Sequence, residues 1–207
     1  MGPMTSAPTP KGERRRMKLI AAAGDLLLEN GFDAVRHRAV AERAGLPLAS
    51  TTYYFASLEE LIVEAVRHVC ERDQLAIAAR SESVTRRRRG CEATAEALAD
   101  VFIGDRTRRD ALAARYEMVV AAARTPRLQP LVAEHRSKLA GWHCAVLAKS
   151  GRAGDPGAVS ALMAVEDGVV VGALAADTGD VVGAARHALA EVLDVLAPPQ
   201  NAGVAII

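Results

Sequence analysis

Residues 38–55 read RAVAERAGLPLASTTYYF and give the chain its strongest structural signal. The segment Arg38–Ala44 has the apolar spacing of one short amphipathic helix. Gly45-Leu-Pro47 interrupts that pattern, and a second short helix resumes at Leu48–Phe55. Two short helices joined by a tight, glycine-containing turn form a helix-turn-helix, whose second helix fits the major groove of DNA. We therefore predict a recognition helix at Leu48–Tyr54.

Long helices are predicted on both sides of this segment. Upstream, apolar residues recur at helical spacing over residues 11–29, and Asn30-Gly31 ends the helix because both residues tolerate the left-handed conformation. Downstream, Ser57-Leu-Glu-Glu60 has the form of a capping box, with Ser57 as N-cap and Glu60 at the third helical position. This box opens an amphipathic helix that we expect to run to about Arg80.

The rest of the chain is also predicted to be helical. Half of the 207 residues are hydrophobic but only 3% are aromatic, so the apolar mass is Ala, Leu and Val, which suits close-packed helices. Five more helices are expected at residues 91–103, 107–123, 127–149, 155–176 and 180–196. The sequence thus predicts an all-α fold of about nine helices. The domains are a disordered lead-in (1–10), a helix-turn-helix domain (11–56), a larger helical domain (57–197) and a tail (198–207).

Charge and cysteine content limit the classes of protein. The net charge is only +1, although residues 1–56 carry +3 and the remainder −2, a small bias that suits contact with phosphates. Three scattered cysteines without a CxxC motif indicate a reducing compartment, and the N-terminus does not resemble a secretory signal. The most apolar stretch, 158–176, contains Glu166 and Asp167, which are costly in a bilayer, so we expect a buried helix and no membrane partner. These features predict a cytoplasmic protein.

Residues 31–61, GFDAVRHRAVAERAGLPLASTTYYFASLEEL, resemble the DNA-binding domain of the tetracycline-repressor (TetR) family. The ungapped match extends over about residues 14–66. The resemblance implies a helix-turn-helix domain followed by a larger helical domain for effector binding and dimerisation. It also implies a symmetric homodimer that binds a palindromic operator in double-stranded DNA. An unidentified small-molecule effector would release the repressor from this operator, and no cofactor is implied. Repression rather than activation rests on the majority behaviour of the family.

The resemblance also implies which residues contact DNA. Arg38 matches a position that reaches a base edge, where a guanidinium pairs with guanine. The full set of matching positions is Arg36, His37, Arg38, Leu48, Ala49, Ser50, Thr52, Tyr53 and Tyr54. Two residues depart from the family pattern. Arg36 replaces the usual Ser or Thr cap of the second helix, so we expect Asp33 to cap that helix instead. Leu58 replaces a Lys that contacts phosphate in the family. We expect Arg36 to supply the missing positive charge.

Other readings of these residues stay open at this point. Arg38 either reads a base or pairs with Glu42 at i+4. Tyr53 either contacts DNA or joins the core, whereas Phe55 is expected in the core. The basic residues at 11 and 14–16 form either a phosphate-contacting arm or a flexible tail. Four consecutive arginines, Arg86–Arg89, form either a solvated linker or a contact with DNA or an acidic partner.

The C-terminal half suggests an interface and a pocket. The last two helices carry small and β-branched residues on one face, which suits a four-helix dimer interface. The residues assigned to it are Val165, Gly168, Val169, Gly172, Ala185, Leu189 and Val192. Residues able to line an apolar pocket with polar groups are Tyr116, Met118, His135, Trp142 and His143. His135 and His143 are eight residues apart, so no metal site is expected.

Two rival functions were weighed. An enzyme with Cys144 as nucleophile and His143 as base is disfavoured, because adjacent helical residues point about 100° apart. No phosphate-binding glycine loop is found in the sequence, so the chain is not expected to be an enzyme. The second rival is a helical DNA-binding or scaffold protein without effector control, which would show strong salt dependence and no sequence preference.

Overall fold

The structure is a computed structural model and describes residues 9–104, 109–176 and 179–200. These residues form nine α-helices, a short 3-10 turn at Phe32–Ala34 and no strand, as predicted. The helices are α1 (Pro10–Asn30), α2 (His37–Ala44), α3 (Ala49–Tyr54), α4 (Leu58–Ser83), α5 (Cys91–Phe102), α6 (Arg109–Ala122), α7 (Gln129–Lys149), α8 (Pro156–Ala175) and α9 (Val181–Leu196). Most of the predicted lead-in, the predicted start of the sixth helix at Thr107 and the tail beyond residue 200 lie outside the described residues.

Local signals in the sequence determine the helix ends around the N-terminal domain. The Thr9 hydroxyl accepts a hydrogen bond from the Gly12 amide (3.2 Å) and caps α1. Gly31 has φ +74°, a conformation that favours glycine, and ends α1. The capping box at α4 is confirmed: Ser57 Oγ accepts from the Glu60 amide (3.1 Å), while the Glu60 carboxylate accepts from the Ala56 amide (2.8 Å).

Helix α4 connects the two halves of the molecule. Its 26 residues span about 39 Å at a rise of 1.5 Å per residue. Its first half, including Leu61 and Val66, is buried in the N-terminal core, whereas Ile77 is buried in the C-terminal core. Met118 of α6 and Val132 of α7 also belong to the N-terminal core. The two domains therefore share packing through α4, α6 and α7.

The C-terminal core is formed by α5, α7, α8 and α9 around a buried arginine. Arg152 is 2% exposed, and its guanidinium donates to Thr94 Oγ1 (3.1 Å), Asp194 Oδ1 (2.9 Å) and the Ala197 carbonyl (2.9 Å). These partners lie on α5, on α9 and just after α9. Because a buried cation needs such partners, Arg152 fixes how α5 and the end of α9 meet.

The arginine run lies at the opposite end of α4 from the helix-turn-helix. The backbone amides of Arg87 and Arg89 donate to the carbonyls of Lys149 (2.9 Å) and Ser150 (3.0 Å), and the Arg88 guanidinium donates to the Gln200 carbonyl. The length of α4, about 39 Å, separates this run from α3. The structure therefore favours the linker reading, because the run cannot contact the duplex that α3 would read.

Helix α8 is apolar but carries one acidic residue, Glu166, on its inner side. Among the described residues it is the one helix long and apolar enough to span a membrane by length and composition, with a mean hydropathy of 1.7. Only a third of its apolar window is buried within the chain, so the prediction of a buried helix is only partly right. Glu166 is 6% exposed and points inward, whereas Ala164, Gly168 and Val171 face outward.

The assignment of α9 to the dimer interface needs a correction. Ala185 and Leu189 are fully buried within the chain, where they pack in the cores formed with α5, α6 and α8. They are not available to a partner subunit. The reason is that α9 packs its apolar stripe against the chain's own core; its exposed residues are His187, Glu191, Asp194 and Val195.

The capping hydrogen bond of Ser57 predicts a measurable effect on stability. We expect Ser57→Ala to lower the free energy of unfolding by about 1 kcal/mol, because the Glu60 amide loses its acceptor. Urea denaturation followed by circular dichroism measures the change. Ser137→Ala, at an exposed position within α7, is the control and should cost nothing, since alanine favours helix. Equal losses in the two variants would contradict the role of the cap.

Candidate DNA-binding surface and effector pockets

The turn between α2 and α3 positions the recognition helix. Gly45 has φ +63°, and the Leu46 amide donates to the Ala41 carbonyl (3.0 Å), which closes the turn. Thr51 is fully buried, and its hydroxyl donates to the Leu48 carbonyl (2.8 Å). The bond closes the first turn of α3 with Thr51 on its buried side, so the opposite side of α3 faces solvent. The helix begins at Ala49, with Leu48 preceding it in helical conformation.

The outward side of α3 carries the predicted DNA-contacting residues. Leu48 is 52% exposed and Tyr53 is 80% exposed. Ala49 and Thr52 are exposed, and Ser50 is half-buried. Tyr54 is half-buried and meets the Tyr53 ring edge-to-face, with the ring centroids 4.9 Å apart. Tyr53 is therefore not a core residue.

Phe55, the residue after α3, is 1% exposed and belongs to the N-terminal core, as expected. It packs under the outward side of α3 and contributes no contact surface. The boundary between core and surface therefore falls between Tyr53 and Phe55.

The start of α2 places Arg38 and Arg36 differently from each other. Arg38 is exposed and forms no ion pair among the described residues, so the alternative pairing with Glu42 is not found. Arg36 is paired with Asp33 (Nη2 to Oδ1, 3.0 Å). Asp33 does not cap α2, and the expectation that it would is wrong, because its carboxylate faces the Arg36 side chain instead of a helix amide. His37 is half-buried, and its Nδ1 has no hydrogen-bond partner.

The basic residues near the N-terminus lie on the first turns of α1 and not in a flexible tail. Lys11, Arg14 and Arg15 are exposed. Arg16 instead pairs with Glu64 (3.1 Å) and lies over the Phe55 ring, 5.4 Å from its centroid. This end of α1 is beside α3, since a Cβ added at Gly12 would lie 3.6 Å from the Tyr54 hydroxyl. Three cations are thus available next to the recognition helix.

An inner cleft lies between α5, α6, α7 and α8. Its free volume is about 20 Å³, enough for no more than a water molecule. It contains three of the five predicted pocket residues, Tyr116, His135 and His143. Met118 lines a different cavity, and Trp142 packs against the C-terminal core without lining either. The cleft lining is Phe102, Arg115, Tyr116, Val119, His135, Arg136, Leu139, His143, Met163 and Asp167.

Paired charges surround the inner cleft. The His143 ring stacks on Phe102, with centroids 3.5 Å apart and planes 12° apart. Its Nδ1 lies 2.9 Å from the Leu139 carbonyl and its Nε2 lies 3.0 Å from Glu166. On the other side Arg136 pairs with Asp167 (2.7 Å). Burial, together with the negative charge of Asp167 and Glu166, raises the pKa of Tyr116, so that the phenol keeps its proton.

Cys144 and His143 do not contact each other as a nucleophile and its base would. Both nitrogens of His143 face the Leu139 carbonyl and Glu166, whereas Cys144 Sγ lies nearest the Gly154 carbonyl, at 3.9 Å. The described residues contain no group of three His, Cys, Asp or Glu side chains placed to hold a metal ion.

A larger cavity, the junction cleft, lies where α1, α4 and α6 meet. It has a volume of about 250 Å³. On its wall Asp73 Oδ1 accepts from Arg115 (2.7 Å), and Asp73 Oδ2 lies 3.4 Å from His135 Nε2. Burial alone would raise the pKa of Asp73, but His135 and Arg115 outweigh it and hold the pKa below its usual value.

No local motif in the sequence marks Asp73, Arg80 and Arg115, because these charged residues meet only through helix packing.

The outward side of α8 is built from small and apolar residues. A Cβ added at Gly168 or Gly172 would meet no atom within 4 Å, so both glycines face away from the chain's own core. Val171 is 46% exposed and lies on the same side of α8. Val165, Val169 and Val192 are half-buried.

Comparison with protein families gives two matches. Residues 19–65 match the model described as "Bacterial regulatory proteins, tetR family". Residues 89–195, more than half of the chain, match "Tetracyclin repressor-like, C-terminal domain". No match was found among the curated proteins.

Solved structures agree with these matches. The multidrug binding protein EbrR, crystallised with proflavin, has 32% identity and a TM-score of 0.66, and the alignment covers 86% of this chain and 99% of EbrR. A TetR-family member from Streptomyces coelicolor A3 has 32% identity and a TM-score of 0.62, with 86% and 97% covered. A regulator from Mesorhizobium loti, at 16% identity and a TM-score of 0.71, shares the fold, with 89% and 98% covered. The resemblance of residues 31–61 is therefore confirmed, and the chain belongs to the TetR family of transcriptional regulators.

Proposed function

We propose that this chain is a homodimeric, sequence-specific repressor that binds a palindromic operator and is released from it by a small organic effector. The observation that carries the proposal is the outward side of α3 with Arg38 beside it. Tyr53 is 80% exposed there, and Arg38 has no acid partner among the described residues. An exposed guanidinium next to a helix of small residues is suited to pair with guanine in the major groove.

Phosphate contacts complete the proposed DNA surface. Lys11, Arg14 and Arg15 are exposed on the first turns of α1, the end of that helix whose Gly12 lies beside Tyr54. Cations in this position attract the DNA backbone and fix the register of α3, while sequence is read by the groove-facing residues. Such a protein works in the cytoplasm, where the chromosome is.

The dimer is proposed to form through the apolar side of α8 together with the outward residues of α9. The outward glycines of α8 allow close approach of a second helix. An apolar face of this extent is an aggregation hazard unless it is covered. A second copy is the occupant that fits, because two-fold symmetry supplies the pair of recognition helices that a palindrome needs, with half-site centres roughly 34–36 Å apart or a multiple of that distance.

The inner cleft is the proposed effector site. The related EbrR was crystallised with proflavin and, in another structure, with ethidium, both planar cations. In this chain the stacked pair Phe102–His143 provides flat surfaces, and Asp167 places a carboxylate in the lining, where a bound cation would compete with Arg136 for it. A planar organic cation is therefore the effector class that we propose.

The closed state of the cleft supplies a release mechanism. At about 20 Å³ the cleft must open before an effector enters, so the effector binds the open state better than the closed one. Opening moves α6 and α7, which contribute Met118 and Val132 to the N-terminal core. The movement thereby changes the orientation of the two helix-turn-helix domains, and operator DNA weakens effector binding by the same factor.

The DNA-binding proposal is tested by selection of genomic fragments on the purified protein, followed by titration at physiological salt. We expect one palindromic motif, and Arg38→Ala should weaken binding to it by about tenfold or more, since a bidentate contact to a base is worth roughly 1–3 kcal/mol. Arg86→Ala is the matched control and should bind like the parent protein, because Arg86 lies beyond the far end of α4. Unselective, strongly salt-dependent binding would support DNA binding without effector control instead.

The dimer proposal is tested by introducing a large charge into the α8 face. We expect Gly168→Arg to yield monomers in analytical ultracentrifugation and to abolish high-affinity operator binding, because the charge would be buried at the interface. Gly141→Arg is the control, since Gly141 also lies in a helix and faces open space. A Gly168→Arg protein that remains dimeric would refute this interface.

The effector proposal is tested by fluorescence titration with proflavin. Asp167→Asn should weaken proflavin binding by about tenfold, because the cation loses a charged partner. Glu92→Gln, an exposed acid on α5, is the control and should have no effect. Proflavin should also release the operator from the parent protein. Unchanged proflavin affinity in Asp167→Asn would exclude the inner cleft as the site.

A further inference from the structure

The junction cleft has the walls of a site for a molecule with an apolar body. Its volume is about 250 Å³, more than ten times that of the inner cleft. Most of its lining is hydrophobic and comes from three helices and the loop after α5. The apolar members are Leu28, Val69, Ala76, Ile103, Ala111, Leu112 and Met118. Pockets of this composition bind small organic molecules and use a few polar groups to orient them.

The charged part of the lining is unbalanced. It contains three guanidinium groups, on Arg72, Arg80 and Arg115, but one carboxylate, on Asp73. Arg72 is paired outside the cleft with Asp25 (2.8 Å), and Arg115 is paired with Asp73 (2.7 Å). Positive charge is therefore in excess within the cleft, and the guanidinium that remains without an ion pair is that of Arg80.

Arg80 is held in place without an ion pair among the described residues, although Asp73 lies near enough to favour its charge. Its Nε donates to the Val101 carbonyl (2.8 Å), and the guanidinium carbon would lie 3.2 Å from a Cβ added at Gly104. No carboxylate among the described residues pairs with its two terminal nitrogens, and the side chain is half-buried. Burial also lowers the pKa of Arg80 from its ordinary value, as expected for a cation that has lost water. A partly dehydrated cation without a partner gains strongly from an anion.

We propose that the junction cleft binds a small carboxylate with an apolar body, and that the carboxylate pairs with Arg80. The apolar body lies against Leu112 and Met118, and the carboxylate accepts from the terminal nitrogens of Arg80. Such a ligand contacts α1, α4 and α6 together. The site lies apart from the inner cleft and the argument for it uses Arg80, which does not line that cleft, so the inference does not depend on the proposed effector.

Calorimetric titration of the full chain, without DNA, tests this proposal. The probes are 2-naphthoate and 2-naphthamide, which have the same ring system but differ in charge. We expect the parent protein to bind naphthoate about tenfold or more tightly than naphthamide, the size of a charge-assisted hydrogen-bonded pair. Arg80→Gln should remove this preference, Arg80→Lys should restore part of it, and Arg86→Gln, outside the cleft, should leave it unchanged.

A second variant separates the cleft from the charge. Ala111→Phe should fill the cavity and abolish binding of both probes while leaving Arg80 in place. Thermal unfolding of each variant shows whether it is folded. Failure of the parent protein to bind naphthoate, equal affinity for the two probes, or a preference that survives Arg80→Gln would each overturn the proposal. Because no DNA is present, a failure of operator binding does not enter these results.

Discussion

The carboxylate of Asp73 connects the helices on which the rest of the molecule depends. It lies on α4, accepts from Arg115 of α6 at 2.7 Å and faces His135 of α7 at 3.4 Å. Helix α4 starts in the N-terminal core and ends in the C-terminal core, and Asp73 is positioned between the two. A buried ion pair loses much of its hydration, so it is retained only where its geometry is good and its partners are fixed. At this point the pair, together with His135, fixes how α4, α6 and α7 meet.

That arrangement links the proposed effector site to the proposed DNA surface. The N-terminal core is not self-contained, because α6 and α7 supply Met118, Ala122 and Val132 to it. A ligand that separates α6 from α7 therefore disturbs the packing beneath α1. The helix-turn-helix itself is closed by short-range contacts, such as the Thr51 hydroxyl on the Leu48 carbonyl. It can move as a rigid unit while its own geometry, and with it the arrangement of Arg38 and Tyr53, stays intact.

The features that the sequence predicted correctly are those with local causes. The cap at Ser57, the helix end at Gly31 and the buried Phe55 follow from neighbouring residues. The errors concern contacts between distant segments. Leu189 is an internal residue because α5, about ninety positions earlier, packs against α9. Periodicity alone does not tell whether an apolar side of α9 meets the chain's own α5 or a second subunit. The charge of Glu166 argues against a membrane span. The same charge in an apolar helix also indicates a buried polar partner, which is His143.

The two cavities share lining residue Arg115. A carboxylate bound beside Arg80 would compete with Asp73 for this guanidinium, and Asp73 would then be left to His135, which also lines the inner cleft. A cation in the inner cleft would attract the same carboxylate from the other side. Each ligand thus changes the charge that the other meets, and linkage requires the two effects to be equal in free energy. Arg115 is therefore the residue through which the two proposed ligands, of opposite charge, would affect each other within a single subunit.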